Sequence, residues 1–237
     1  MGAPIEESAV LAAEPASDTK SRLLQAAERL FAEHGFAGVS VRQLTAAAGA
    51  NLAAVNYHFG SKEGLLGAIF EQRCRPMNEE RLRRLEACEA AADDPDRLEK
   101  IVAAFIAPAL ASSTDRGGGA VFTRLRAVLS VEHNELARAL IARHFDATSE
   151  RFVAALARAL PHLSRAELYW RFQFLLGALY YTMINPGRIA HLSGGLCDAG
   201  DVEAVLAEMV PFIAAGLRAP GGKTAGGSPT PRKRSDR

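Results

Sequence analysis

The feature that most constrains this chain is a crowding of helix starts near its front, where four cap signals fall within about 45 residues. Asp18 or Thr19 can cap a helix in which Leu23, Leu24, Ala27, Leu30 and Phe31 recur at three- and four-residue intervals, and Gly35 offers a left-handed stop. Ser40 and Gln43 have capping-box spacing, with Val41, Leu44 and Ala48 on one face and Gly49 closing the element after barely two turns. Asn51 can cap a second short helix over residues 52–59, and Ser61 a longer one that opens with Lys62 and Glu63. Long packed helices rarely stop this often. A short support helix, a glycine-bearing turn and a short recognition helix are the parts of a helix-turn-helix.

Composition agrees with helix elsewhere. The 237 residues are 49% hydrophobic and include 45 Ala and 27 Leu, against 7% aromatic, so helix formers abound and strand formers are scarce. Past Pro76 the predicted helices lengthen: one starts at Asp94 and Pro95 and runs toward Leu110, two more cover residues 121–131 and 134–160, and Ser164 and Glu167 form a capping box opening a helix to Met183. Asn185, Pro186 and Gly187 close it, and a last helix over 201–218 contains Pro211, which should kink or restart it. The expectation is an all-α protein of about nine helices: a leader at 1–18, a three-helix domain at 19–66, a larger helical domain at 67–218, and a Gly, Pro and Ser-rich basic tail at 219–237, with both ends disordered.

The formal net charge of +1 hides an uneven distribution. Residues 1–18 sum to −4, 20–62 to +3 and 219–237 to +4, so a modest basic block near the front is available to phosphates, although solvated surfaces often carry as much. Cys74, Cys88 and Cys197 form no CxxC pair and have no His at ligand spacing, so neither a disulfide framework nor a metal site is suggested, and no cofactor is expected. The longest apolar stretch, 174–184, is about half of the roughly 20 residues needed to cross a bilayer. Glu6, Glu7, Glu14 and Asp18 stand where a secretory signal needs a basic start, which points to the cytoplasm.

A recognition helix reads base edges in the major groove while its neighbours clamp phosphates. Leu52, Val55 and Phe59 should face inward, leaving Ala53, Ala54, Asn56 and Tyr57 for the groove. Asn56 can make the paired contact to adenine, and small Ala53 and Ala54 permit apolar contact with thymine methyls. Ser40, Arg42, Tyr57, His58 and Lys62 are phosphate candidates, with Asn51 at the helix start; Tyr57 and His58 fit equally as half-buried packing or capping residues.

These runs carry a resemblance. Residues 20–66, through AAERLFAEHGF at 26–36, SVRQLTAAAG at 40–49 and YHFGSKEGLL at 57–66, resemble the DNA-binding domain of the TetR family of bacterial transcriptional regulators. The chain departs from that pattern at Asn56, where most members have Tyr, and at Ala50 and Asn51, where Val and Ser are usual, so an operator sequence does not carry over. NLAAVNYHFGSK at 51–62, ELYWRFQFLLGA at 167–178 and VPFIAAGLR at 210–218 resemble the PsrA-like, fatty-acyl-responsive branch of the family.

The resemblance implies a homodimer joined through the last two long helices, a near-palindromic double-stranded DNA operator, and a small hydrophobic effector such as a fatty acid or acyl-CoA that releases a repressor. Independently, Leu168, Phe172, Leu175, Leu176 and Leu179 follow helical spacing, and Ala214, Ala215 and Gly216 allow close helix approach; an interface and a protomer core would both produce this stripe. Phe105, Phe122, Phe145, Phe152, Trp170, Phe174, Tyr181 and Met183 are candidate pocket walls, with Arg124, Arg126, His144 and Arg171 as candidates to meet a polar head. No G-x-S-x-G, P-loop, H-E-x-x-H or dinucleotide fingerprint appears, so an enzyme is not expected. The rival is an acyl-binding or adaptor protein whose front helices only scaffold; it would ignore DNA at any salt concentration, whereas phosphate-clamping contacts weaken steeply as salt rises.

Overall fold

The computed structural model describes residues 16–91, 93–115, 117–131 and 135–221. The 1–18 leader and the 219–237 tail fall outside them, apart from 16–18 and 219–221. Ten helices and no strands occur among the described residues: α1 (Ala16–His34), α2 (Val41–Ala48), α3 (Leu52–Phe59), α4 (Lys62–Ala90), α5 (Arg97–Thr114), α6 (Gly119–Val131), α7 (Glu135–Ala159), α8 (Arg165–Ile184), α9 (Pro186–Leu192) and α10 (Val202–Arg218). The all-α expectation holds.

The tenth helix arises where a closing turn was expected. Asn185, Pro186 and Gly187 do end α8, but Pro186 occupies the first turn of α9, where its missing N–H costs nothing and its fixed φ favours helix. Prolines elsewhere are absorbed too. Pro211 neither stops nor restarts α10, Pro108 lies within α5, and α4 runs 29 residues through Pro76.

The chain divides into two compact units. The first takes in Met1–Leu82 and Pro108–Thr148, the second Arg83–Ala107 and Ser149–Arg237, so α4, α5 and α7 each contribute to both. In the first unit α1 packs against α2, α3 and α6. An interior ion pair ties these parts together: Arg73 Nε donates to Glu28 Oε1 at 2.7 Å, and its Nη2 donates to Glu28 Oε2 at 2.6 Å and to the Gly117 carbonyl at 2.7 Å. Glu28 is buried on α1, Arg73 lies on α4, and Gly117 belongs to the turn before α6. Gly118, at φ +107°, gives the guanidinium its room, since a β-carbon there would collide with Arg73 Nη2.

The same unit buries two further arginines. Arg81 is 4% exposed and donates to Asn78 Oδ1 at 3.3 Å; Arg126 is 6% exposed, with its guanidinium 4.3 Å from the Phe145 ring centre. Burial pushes Arg81 down to about 9 and Arg126 down to about 10, and the Arg126 charge depresses Arg81 further.

The second unit's core centres on Phe105, whose ring meets Phe152 at 5.0 Å and Phe172 at 5.1 Å, both edge to face. Leu168, Phe172, Leu175 and Leu179 are all buried here, which settles the α8 stripe as protomer core. The opposite face of α8 exposes Trp170, Phe174 and Tyr181, the first two at 64% each. Their assignment as pocket walls is corrected, because a side chain that open lines no enclosed cavity of its own protomer.

Candidate nucleic-acid interface

Local capping places the two short helices. The Ser40 hydroxyl accepts from the Gln43 N–H at 3.3 Å, and the Gln43 side chain takes the Ser40 N–H at 2.8 Å, completing the capping box that opens α2. Gly49 ends α2 in the left-handed region (φ 58°, ψ 38°), which a Cβ would strain. Asn51 then caps α3, its Oδ1 accepting the Ala54 N–H at 2.9 Å. Ser61 caps α4 through the Gly64 N–H at 3.1 Å.

A small core fixes the roll of α3. Val55 is fully buried with Leu23 and Ala26 of α1 and Ala48 of α2, and Val41, Ala50, Ala54 and Phe59 pack on this cluster. The inward stripe of α3 is therefore Ala54, Val55 and Phe59, with His58 half-buried beside them. Two expectations change. Leu52, assigned inward, is 54% exposed, and Ala54, assigned to the groove, is half-buried. The cover from α1 and α2 meets the Ala54 side of Val55, which rolls Leu52 outward. Leu52, Ala53, Asn56 and Tyr57 form the outward face, and Tyr57 is 82% exposed.

Lys62 is differently employed from what was expected. Its ammonium donates to the Phe36 and Val39 carbonyls, each at 2.9 Å, and sits 4.2 Å from the Phe36 ring centre. It thus holds the turn between α1 and α2 against the start of α4, and two of its three donors are used there. Arg42 is exposed on α2, and Ser40, also exposed, uses its hydroxyl in the cap. Tyr57 and His58 meet edge to face at 5.0 Å.

The pocket candidates divide between the two units. Phe122, Phe145 and Arg126 gather in the first unit, Phe105 and Phe152 in the second, and half-buried Met183 lies near the end of α8. Arg171 is a helix clamp: Nη1 donates to the carbonyls of Gly216, Leu217 and Ala219 at 3.0, 2.7 and 2.7 Å, and Nη2 to that of Pro220 at 3.0 Å. Gly216 and Leu217 belong to the last turn of α10, and Ala219 and Pro220 follow it, where carbonyls lack intrahelical donors and a cation is favoured. This corrects its assignment to a ligand head. Sequence reasoning missed half-buried Arg73 and buried Arg81, which share α4 with exposed arginines such as Arg75 and Arg84 and carry no local signal that sets them apart. No group of three or more His, Cys, Asp or Glu that could hold a metal occurs among the described residues, and none of their helices is long and apolar enough to cross a membrane.

Comparison with known proteins identifies this arrangement. Residues 23–69 match the bacterial regulatory proteins of the tetR family, and residues 103–216 match the tetracyclin repressor-like C-terminal domain, together about two-thirds of the chain. The chain is 37% identical over 70 residues to the HTH-type transcriptional repressor AcnR of Corynebacterium glutamicum, covering 30% of this chain and 37% of that protein. It is 40% identical over 75 residues to the HTH-type transcriptional regulatory protein RaaS of Mycobacterium tuberculosis, covering 32% of each. The matched stretch thus spans only about a third of these relatives. Among solved structures, the transcriptional regulator FadR of Bacillus subtilis in complex with stearoyl-CoA has a TM-score of 0.56 at 16% identity, over 83% of this chain and 98% of that one. The TetR-family regulator PfmR of Thermus thermophilus has 0.54 at 21%, over 80% and 94%. At such identities the likeness establishes the fold. With its capped pair of short helices at the front and the matched helical domain behind them, the chain belongs to the TetR family of bacterial transcriptional regulators.

Proposed function

We propose that this protein is a homodimeric repressor that grips a near-palindromic operator with two copies of α3 and lets go when a small hydrophobic effector binds its larger helical domain. One observation carries the reading. The roll of α3 is fixed by a buried Val55, while Leu52, Ala53, Asn56 and Tyr57 stand free on the opposite face. A polar side chain flanked by small and apolar ones, on a short helix clamped from behind, is suited to base edges and thymine methyls. Exposed Arg42 and Tyr57 are placed with phosphates, and Lys62 keeps the turn in register. The dimer joins α8 and α10 through the exposed Trp170, Phe174 and Tyr181 face, with Phe212 beside Ala215 and Gly216 on α10. Two heads must then meet half-sites about 34 Å apart. The effector is an acyl chain, free or as its coenzyme A thioester, a reading supported by the stearoyl-CoA bound to the FadR of similar fold. Its work on DNA puts the protein in the cytoplasm.

The operator is recovered by sequencing bound genomic fragments, and affinity is then measured on it and on random duplex. Asn56→Ala is expected to lose about 1 to 3 kcal/mol on the operator with little change on random DNA, whereas Arg42→Ala weakens both and lowers the salt slope by about one. Equal losses on both duplexes for Asn56→Ala would refute base reading. Oleate and palmitoyl-CoA are tested for release of the operator complex; the acyl reading fails if neither acts.

A further inference from the structure

Large apolar side chains left exposed among the described residues gather in two places. Leu52 and Tyr57 stand on α3, and every other one lies on α8, on α9, on the turn that follows α9, or on α10. Charge thins out over the same stretch: between Phe172 and Cys197 the only Asp, Glu, Lys or Arg is Arg188. A surface both apolar and poor in charge marks a contact between proteins and suits neither a phosphate nor a solvated face.

The arm formed by α9 and the turn after it is the extreme case. None of the seven residues of α9 is buried, and Leu192 and Leu196 are 68% and 89% exposed. Its shape nevertheless comes from its own hydrogen bonds. The Ser193 N–H donates to the Ile189 carbonyl at 2.9 Å, the Gly195 N–H to that of Ala190 at 2.8 Å, and the Cys197 N–H to the Ser193 hydroxyl at 3.0 Å. Gly194 and Gly195 make the turn at φ 63° and 89°, and a β-carbon on either would meet nothing within 4 Å, so both are there for their backbone conformation. Ordering such an arm costs entropy that burial within its own protomer does not offset, and its leucines still face water. The surface that offsets this lies on another molecule.

A second copy of the chain supplies that surface. The arm leaves the C-terminal end of α8, whose exposed Trp170, Phe174 and Tyr181 share one stripe at helical spacing. α8 is 20 residues long, about 30 Å, with Phe174 at its middle. An isologous contact uses the same patch twice, so a two-fold axis beside Phe174 sets the closing end of one α8 against the opening end of the other. We propose that the α9 arm of each protomer closes over the partner's Trp170 through Leu192 and Leu196, so that two clasps flank the contact between copies. This rests on the reading of α8 and α10 as the dimer surface and adds to it a part that can be removed separately.

The full chain carries its own reporter, because Trp170 is its only tryptophan. Acrylamide quenching of its fluorescence is measured at concentrations where sedimentation velocity shows a dimer. Leu192→Ser combined with Leu196→Ser, both at exposed positions, is expected to make Trp170 about 2-fold more quenchable in the dimer and to weaken association about 10-fold. Exposed Cys197, beside Leu196, gives a second readout: N-ethylmaleimide alkylates it about 5-fold more slowly in the wild-type dimer than in the double variant. Unchanged circular dichroism shows that the variant is folded. A wild-type chain that stays monomeric refutes the dimer surface and the clasp with it. A dimer in which Trp170 and Cys197 both ignore the substitutions refutes the clasp alone. Trp170 shielded in a monomer shows the arm lying back on its own α8, which also overturns the proposal.

Discussion

Lys62 shows how much one side chain's role depends on partners far away in sequence. A lysine at the start of a helix beside a recognition helix reads as a phosphate ligand, yet its ammonium bridges two carbonyls 23 and 26 residues upstream. Lys62→Ala is expected to destabilise the protein by about 1.5 to 3 kcal/mol, because charged hydrogen bonds are lost and two carbonyls are left without their donor; thermal or urea denaturation measures it. His144 makes a second test at this scale. Burial pushes its imidazole below the ordinary range, with Glu71 opposing and Arg143 adding to the shift, so the fold prefers the neutral ring. Its folded value lies below its unfolded one. The stability it contributes is therefore whole above about pH 6.5 and is lost as the pH falls through the folded value. His144→Gln should flatten the acid side of a stability-against-pH curve, and an unchanged curve would remove His144 as its cause.

At the scale of elements, caps were the most legible signals, because they are local. Ser40 with Gln43, Ser164 with Glu167, Asn51 and Gly49 all act as their spacing predicts. Prolines were less legible, since a proline signals the loss of one hydrogen bond but not whether tertiary packing carries the helix past it. In α4, Pro76 is exposed and leaves the Gln72 carbonyl without its helical donor. Pro76→Ala is expected to raise stability by about 1 to 3 kcal/mol, seen as a higher midpoint in thermal unfolding. The α8 stripe stayed open between core and interface for a different reason. Leucine periodicity reports that a stripe is covered, not by what, and aromatic residues signal burial without saying whether it happens within a chain or between two. Likewise nothing within a few residues of Arg171 marks it as the clamp on a helix end 45 positions away.

At the scale of the molecule, the exposed aromatic face of α8 is the surface on which assembly is staked. Phe174→Glu places a charge at the centre of that face while leaving the buried Leu168, Phe172 and Leu175 face intact. A folded monomer with sharply weakened operator affinity is expected, read by sedimentation velocity alongside circular dichroism; a dimer of unchanged strength would move the interface elsewhere. Family and fold could be read from the front third of the chain, where the caps that start and stop the short helices are local. The interior charges could not, since their partners are brought together only by the tertiary fold. Gly118 belongs to that second group. In the sequence it is the middle one of three consecutive glycines, yet the space it leaves is filled by Arg73. Inherited variation at this codon would dislodge a guanidinium from Glu28 and strand a carboxylate in the interior. Carriers of such an allele would show the phenotype of scarce protein, with the outward face of α3 itself unaltered.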